Sequence, residues 1–211
     1  MNLNIDGLEL DGGRRLPFAE DFYTIQGEGR YTGCAAYFIR VAGCDVGCPW
    51  CDAQYTWNLR KFKVEEVDAV LARVAESGTP LAVITGGEPL IYPMGYLTER
   101  LHEMGVQVNL ETSGSHAFSG RFDWVCLSPK RKKHPLEEAY DHANELKVVV
   151  ESEADFEWAE ENAAKVGKDC RLYLQVEWSV TDKMMPLIVD YVKAHPKWNI
   201  SIQTHKYMQI P

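Results

Sequence analysis

Three cysteines fall within eight positions of the stretch "GCDVGCPWCDA", residues 43–53. Cys44, Cys48 and Cys51 make a C-x3-C-x2-C run, short enough for one loop to wrap a compact inorganic core. Zinc closes its shell with four ligands, and Cys34, ten residues upstream, is the nearest fourth. A cubane iron–sulfur cluster has four irons, so three thiolates leave one iron open to a ligand that is not protein. Free cysteines also pack as small hydrophobes, which is the bland reading. The ligand count and a loop that directly follows a strand favour the cluster.

The elements around this loop alternate. "AAYFIRV" (35–41), "LAVIT" (81–85), "VQVNLE" (106–111), "DWVCLS" (123–128), "ELKVVV" (145–150), "RLYLQV" (171–176) and "WNISIQ" (198–203) read as strands. Between them lie helical periodicities: Val64, Val67, Leu71 and Val74, then Leu97, Leu101 and Met104 with Gly105 as the stop. Ser152 is placed to cap a helix that buries Phe156, Ala159, Ala163 and Val166 and ends at Gly167. A last helix spans 181–195, and its Pro186 is tolerable if it sits in the first turn. This order predicts an α/β fold with a mainly parallel sheet and outer helices. A closed eightfold barrel takes about 250 residues. The present 211, with the first thirty spent elsewhere, predict a partial, TIM-like barrel of about six units in a single domain, 1–211. Ligands collect at the carboxyl ends of such strands, where the cysteine loop sits.

A net charge of -9 argues against a nucleic-acid surface, which needs clustered Lys and Arg. No apolar run is long enough to span a membrane, and "MNLNIDGLEL" lacks the pattern of a signal peptide, so the expected location is the cytoplasm. In that reducing compartment six cysteines point to metal or redox chemistry rather than disulfides. "GEGRYTG" (27–33) has the glycines of a dinucleotide loop but runs into a strand rather than a helix, so it is set aside.

The cysteine run, with an aromatic residue before its last member and "TGGEP" (85–89) after the next strand, resembles the radical S-adenosylmethionine (SAM) superfamily. The resemblance implies that the open iron of a 4Fe-4S cluster is chelated by the methionine end of SAM, whose reductive cleavage yields a radical that abstracts a substrate hydrogen. "FYTIQGEGRYTG", "FIRVAGC", "SPK" (128–130), "LQ" (174–175) and "QTHKYMQIP" together resemble the 7-carboxy-7-deazaguanine synthase family over nearly the whole chain. That family performs a radical ring contraction of 6-carboxy-5,6,7,8-tetrahydropterin with loss of ammonia, on the route to 7-deazapurines and queuosine.

By position, the resemblance assigns the pterin to Ile25, Gln26, Gly27, Arg40, Thr85, His205 and the carboxylate of Pro211. Arg40 would pair with the substrate carboxylate, a task suited to a planar fork of donors. It assigns SAM to Gly87, Glu88, Ser128, Pro129, Lys130, Gln175, Val176, Glu177 and Trp178, with Trp50, Cys51 and Asp52 beneath the adenine. Glu88 would accept from the ammonium group. The other five histidines read as surface residues, and Cys126 and Cys170 as packing.

Two departures stand out. The family's hydroxyl residue after the Cys-Asp pair, a ligand of Mg2+, is Ala53 here, leaving three alternatives: Thr56 substitutes, a water substitutes, or the protein does not need the ion. Val176 replaces a proline, which affects loop shape. The run "KRKK", Lys130 to Lys133, reads as a solvated loop or as the landing site of an acidic reductase such as flavodoxin. A partial barrel leaves edges open, which "NIDGLEL", the tail and a second subunit in a homodimer would cover. Two rivals share the cysteine loop: an activase that takes hydrogen from a partner protein's glycine, and a non-catalytic electron-transfer or sensing module. The first gives no reason for "IQGEG" or the final proline; the second is separated by metal analysis, since zinc or a cluster whose spectrum ignores SAM would favour it.

Overall fold

The structure, a computed structural model, describes Ile5 and residues 7–211. The seven expected parallel strands all form, within two residues at each end: β2 (Ala35–Val41), β4 (Leu81–Gly86), β5 (Gln107–Thr112), β6 (Trp124–Leu127), β7 (Glu145–Val150), β8 (Arg171–Val176) and β9 (Trp198–Ser201). Each pairs in parallel with the next. Two strands not read from the sequence, β1 (Arg15–Ile25) and β3 (Val64–Glu66), extend the sheet antiparallel, in the order β3-β1-β2-β4-β5-β6-β7-β8-β9. The two edges do not pair with each other, so the barrel is unclosed.

Five of the six crossovers carry a helix: α1 (Val67–Ser77), α2 (Gly95–Glu103), α3 (Glu137–His142), α4 (Ala154–Ala163) and α5 (Thr181–Ala194). The β5–β6 crossover carries none, and a short α6 (Thr204–Met208) follows β9. Strand alternation decides what faces what. Ile39, Val41, Ile84, Val108 and Leu110 pack outward against α1 and α2, and Leu146, Val148, Val150, Leu174 and Trp198 against the later helices. The opposite parity turns Arg40, Thr85, Glu111, Lys147, Gln175 and Ser201 inward, so the interior is polar toward the carboxyl ends of the strands, while Ala36, Leu81 and Val83 make a small apolar cluster nearer the other end.

Several local expectations are corrected. Val64 belongs to β3, because α1 starts only at Val67. Met104 is the exposed C-cap of α2 rather than part of its buried face. Ser152 does not cap α4; the Asp155 carboxylate accepts from the Glu151 and Ser152 amides instead, at 3.0 and 2.9 Å. Pro186 is the sixth residue of α5, beyond the first turn, so its missing N–H leaves the Asp182 carbonyl without the usual helical donor. "NIDGLEL" falls partly outside the described residues, and its described part forms no strand. "GEGRYTG" contains a short 3-10 turn at Gly29–Tyr31 and then enters β2, as its exclusion as a nucleotide loop requires.

Candidate active site

β2 ends at Val41 and the chain turns directly into the cysteine loop, at the carboxyl end of the parallel strands. Backbone bonds fix the loop's entry: Ala42 N–H donates to Pro17 O (2.8 Å), Gly43 N–H to Thr56 O (2.7 Å) and Glu88 N–H to Gly43 O (2.9 Å). The Tyr92 hydroxyl adds a 2.7 Å bond to Ala42 O. Cys44 is buried, Cys48 and Cys51 are half-buried, and all three line one cavity of about 510 Å³. Burial pushes all three thiols up from their ordinary pKa.

Cys34 is exposed at the far end of the seven-residue β2. At about 3.3 Å per residue that strand puts Cys34 roughly 23 Å from Val41, where the cysteine loop begins, too far to complete a zinc shell. Among the described residues, no three His, Cys, Asp or Glu side chains converge on a single-ion position. A cluster spreads its thiolates over separate irons, so three cysteines facing one cavity fit that group and do not fit zinc.

The glycine pair at the end of β4 packs backbone to backbone on this loop. Gly86 sits at φ +133°, and a Cβ there would overlap the Val41 backbone; a Cβ on Gly87 would overlap Gly43 O and meet Cys44 Cβ at 3.1 Å. Glu88 is 1% exposed and its carboxylate is fully engaged. It accepts from Leu90 N–H (3.1 Å), the Thr112 hydroxyl (2.6 Å), Ser113 N–H (2.8 Å) and the Ser113 hydroxyl (2.5 Å). These four donors fill its acceptor positions. Glu88 therefore holds the glycine turn against β5 and has no acceptor left for a ligand's ammonium group.

Across the cavity stands the polar inner face. Arg40 donates through Nε to Glu20 at 2.9 Å, and Glu20 also accepts from the Tyr55 hydroxyl. No described residue holds the two Nη groups of Arg40. The loop after β1 crosses the barrel interior: the Glu28 carboxylate accepts from Lys147 Nζ at 2.5 Å, and Lys147 also donates to Glu111 at 2.8 Å. Burial opposes ionisation of Glu28, but the Lys147 charge and bonds from Lys147 and Gln203 outweigh it and hold the carboxyl down at about 2. The same loop is stitched to the tail. Gly27 O accepts from Thr204 N–H (2.9 Å) and its hydroxyl (3.0 Å), and Gln203 donates to Glu28 at 2.8 Å. A Cβ on Gly27 would overlap the His205 ring. Pro211 O accepts from Thr24 at 3.5 Å.

Of the residues picked from the sequence, Ile25, Gln26, Gly27, Arg40, Thr85, His205, Pro211, Trp50, Asp52, Gly87, Glu88, Ser128, Lys130, Gln175, Val176, Glu177 and Trp178 all line this cavity with the cysteines. Pro129 does not; it is buried behind Ser128 and Lys130. Gln175 accepts from Ser201 at 2.7 Å, and Glu177 caps the turn Trp178–Val180. Trp178 meets Tyr207 edge-on at 5.4 Å, with Lys206 Nζ 4.8 Å above its ring.

Comparison with known proteins decides the family. The Radical SAM superfamily matches residues 38–165. The 7-carboxy-7-deazaguanine synthase of Flavobacterium psychrophilum is 50% identical, over 97% of this chain and 97% of that protein. That of Synechocystis sp. is 43% identical, over 92% and 93%. The crystal structure of QueE from Escherichia coli superposes with a TM-score of 0.80 at 32% identity, covering 93% of this chain and 98% of that one. The chain belongs to the 7-carboxy-7-deazaguanine synthase family of radical SAM enzymes. Membership implies a 4Fe-4S cluster and SAM.

Sequence reasoning missed Glu20, Glu28, Tyr55, Glu111, Lys147 and Gln203, all of which line the same cavity. A signal existed for two of them. In "VNLET" and "ELKVVV" charged residues sit at alternate strand positions between apolar ones, which marks a polar inner face rather than a strand apolar on both sides. The family's hydroxyl position holds Ala53, and Thr56 is no replacement: it is fully buried and does not line the cavity.

Proposed function

We propose that this enzyme converts 6-carboxy-5,6,7,8-tetrahydropterin to 7-carboxy-7-deazaguanine with loss of ammonia, a carbon–nitrogen lyase step of queuosine biosynthesis. One observation carries the reading: apart from Pro129, every residue that the family resemblance assigns to cluster, SAM or pterin lines a single cavity. Cys44, Cys48 and Cys51 would hold three irons, and Gly87, Ser128, Lys130 and the segment 175–178 would hold SAM. When bound, that pair supplies one-electron cleavage of a sulfonium and abstraction of a substrate hydrogen atom.

The remaining work is binding and orientation. Glu20 fixes the guanidinium plane of Arg40 through Nε, which leaves the Nη pair for the substrate carboxylate. Burial holds His205 below its usual pKa, so it offers the pterin a hydrogen bond rather than a charge. The stitched loop and tail bring Ile25–Gly27 and the Pro211 carboxylate to one side of the cavity, where they can bond the aminopyrimidine edge and exclude water.

Mg2+ does not fit the residues present. A methyl group stands at position 53, and Thr56 is fully buried outside the cavity lining. The test is anaerobic: reconstitute with iron and sulfide, reduce with dithionite, add SAM and the pterin, and measure product by mass spectrometry. We expect 7-carboxy-7-deazaguanine equally with and without Mg2+. Formation of 5′-deoxyadenosine without the deazaguanine would overturn the substrate assignment. Product that requires Mg2+ would overturn the reading of Ala53.

The proposal extends to assembly and place. One sheet runs from Arg15 to Ser201, which supports a single radical SAM domain over 1–211. Ile202, Tyr207 and Met208 are exposed beside the open β9 edge, which supports a homodimer covering it. Light scattering should give twice the 24.0 kDa chain mass, and a monomer mass would contradict this. All six cysteines are free, which suits the reducing cytoplasm, and among the described residues no helix is long and apolar enough to cross a membrane. The electron donor belongs to the same proposal: a low-potential reductase such as flavodoxin.

A further inference from the structure

The basic run Lys130–Lys133 is not a free surface patch. Each of its cations has a partner inside the molecule. Lys130 Nζ donates to Ser128 O (2.7 Å) and Oγ (2.5 Å) and stands 5.6 Å over the Trp50 ring. Arg131 turns the other way, to Ala154 O at 2.9 Å and Asp155 at 3.2 Å, which anchors the run to α4. Lys132 Nζ donates to Gly47 O at 2.8 Å. Lys133 Nζ lies 2.6 Å from Asp45 Oδ2 and 2.7 Å from His116 Nε2, and His116 in turn lies 3.1 Å from Asp45 Oδ1.

Asp45 and Gly47 both lie between the first and second cysteines. Two successive lysines therefore grip the backbone and the side chain of the same short loop, and His116 closes a three-membered contact on it. His116, read from the sequence as a surface residue, arrives on the β5–β6 connection. That crossover carries no helix and lies against the loop instead. Lys133 and Asp45 are both largely shielded, at 34% and 20% side-chain exposure, so the contact is held more firmly than an open surface pair.

We propose that Lys132, Lys133 and His116 are positioning residues that clamp the Cys44–Cys48 segment and so fix the geometry in which the cluster meets SAM. The proposal rests on the reading above that Cys44, Cys48 and Cys51 hold a 4Fe-4S cluster. Outer partners of metal ligands set ligand orientation and affinity, with effects of about 10–100-fold.

The test uses the reconstituted protein and three readouts: iron loss to a chelator, the change that SAM makes in the EPR spectrum of the dithionite-reduced cluster, and melting of the cluster-free chain. Lys133→Met and Asp45→Asn should each speed iron loss about tenfold, blur the SAM-induced spectral change, and leave melting within a few degrees. The double variant should fall short of the sum of the two single ones, because both remove the Lys133–Asp45 contact while each spares one contact to His116. Lys133→Arg should restore part of the spectral response, and Lys132→Met, which breaks only the Gly47 contact, should give a smaller defect of the same kind. Wild-type iron retention and SAM response in Lys133→Met would overturn the clamp. So would defects that add in the double variant, or a defect seen only when flavodoxin replaces dithionite, which would restore the landing-site reading. A wild-type protein whose cluster ignores SAM would instead overturn the functional reading on which the clamp rests.

Discussion

Lys147→Met should unfold about 3–5 kcal/mol more readily than the wild type, the usual cost of removing one partner of a buried ion pair. Lys147 is 5% exposed and is the shared cation of Glu28 and Glu111. Without it two carboxylates face each other in the barrel interior with no counter-charge. The deficit should depend on pH in a defined sense. Glu28 is held at about 2 against an ordinary 4.5, so its contribution is complete above 4.5 and is lost as pH falls through 2. The stability gap between wild type and variant should therefore narrow over that interval. Glu145, pushed up by burial, works in the opposite direction and blunts the wild-type profile without changing the sign of the gap. Urea titrations at pH 7 and pH 3 measure it, and a gap that is equal at both would refute the assignment of the pair. Activity should fall with stability even where the protein is folded, because Glu28 directly follows the Ile25–Gly27 segment proposed to hold the pterin.

The second large effect is expected at Gly87. Alanine there places a methyl group into the Gly43 carbonyl and against Cys44 Cβ, and both neighbours are short backbone-anchored groups that cannot rotate aside. The cysteine loop itself must shift. Overpacking of this kind costs about 1–3 kcal/mol, which the fold survives. A displacement near 1 Å at reacting groups costs on the order of 100-fold in rate. Gly87→Ala should thus stay folded, yet lose about two orders of magnitude in product formation and give an altered SAM-dependent EPR spectrum. Near-normal turnover would mean that the loop tolerates the shift and that its position is less demanding than the packing implies.

The fold was legible wherever a single periodicity ruled. Strands β2, β7 and β8 match their expected bounds because apolar runs there end at turn residues or charged neighbours. β1 escaped notice because "RLPFAEDFYTI" mixes proline, charges and aromatics and draws its order from pairing with β2, a long-range contact no local window contains. The last helix begins at Thr181, its expected start, so Pro186 falls past the first turn and costs one helical hydrogen bond.

At the site, the cysteines and glycines could be read because their chemistry is tied to fixed local spacing. Glu28, Lys147 and Glu111 could not be assembled, since they come from three separate segments and only the sheet's curvature brings them together. Glu88 shows the converse. Its residue type was noticed, but its role depends on Thr112 and Ser113, two dozen positions away. The basic run likewise looked like surface until Asp45 and Gly47 were placed beneath it.

The stitch between Gly27 and Thr204 joins residues 177 positions apart. During synthesis the strands can add one after another, each to a neighbour already made, but this wall cannot exist until the last stretch has left the ribosome. By then the cysteine loop has long had its anchors, Pro17, Thr56 and Glu88, all emerged within the first half of the chain. Chain order therefore makes this wall the last part of the site that can close. A chain ending before residue 203 would carry the sequence of all nine strands and the three cysteines, yet lack the partners of Gly27 and Glu28 that wall the cavity.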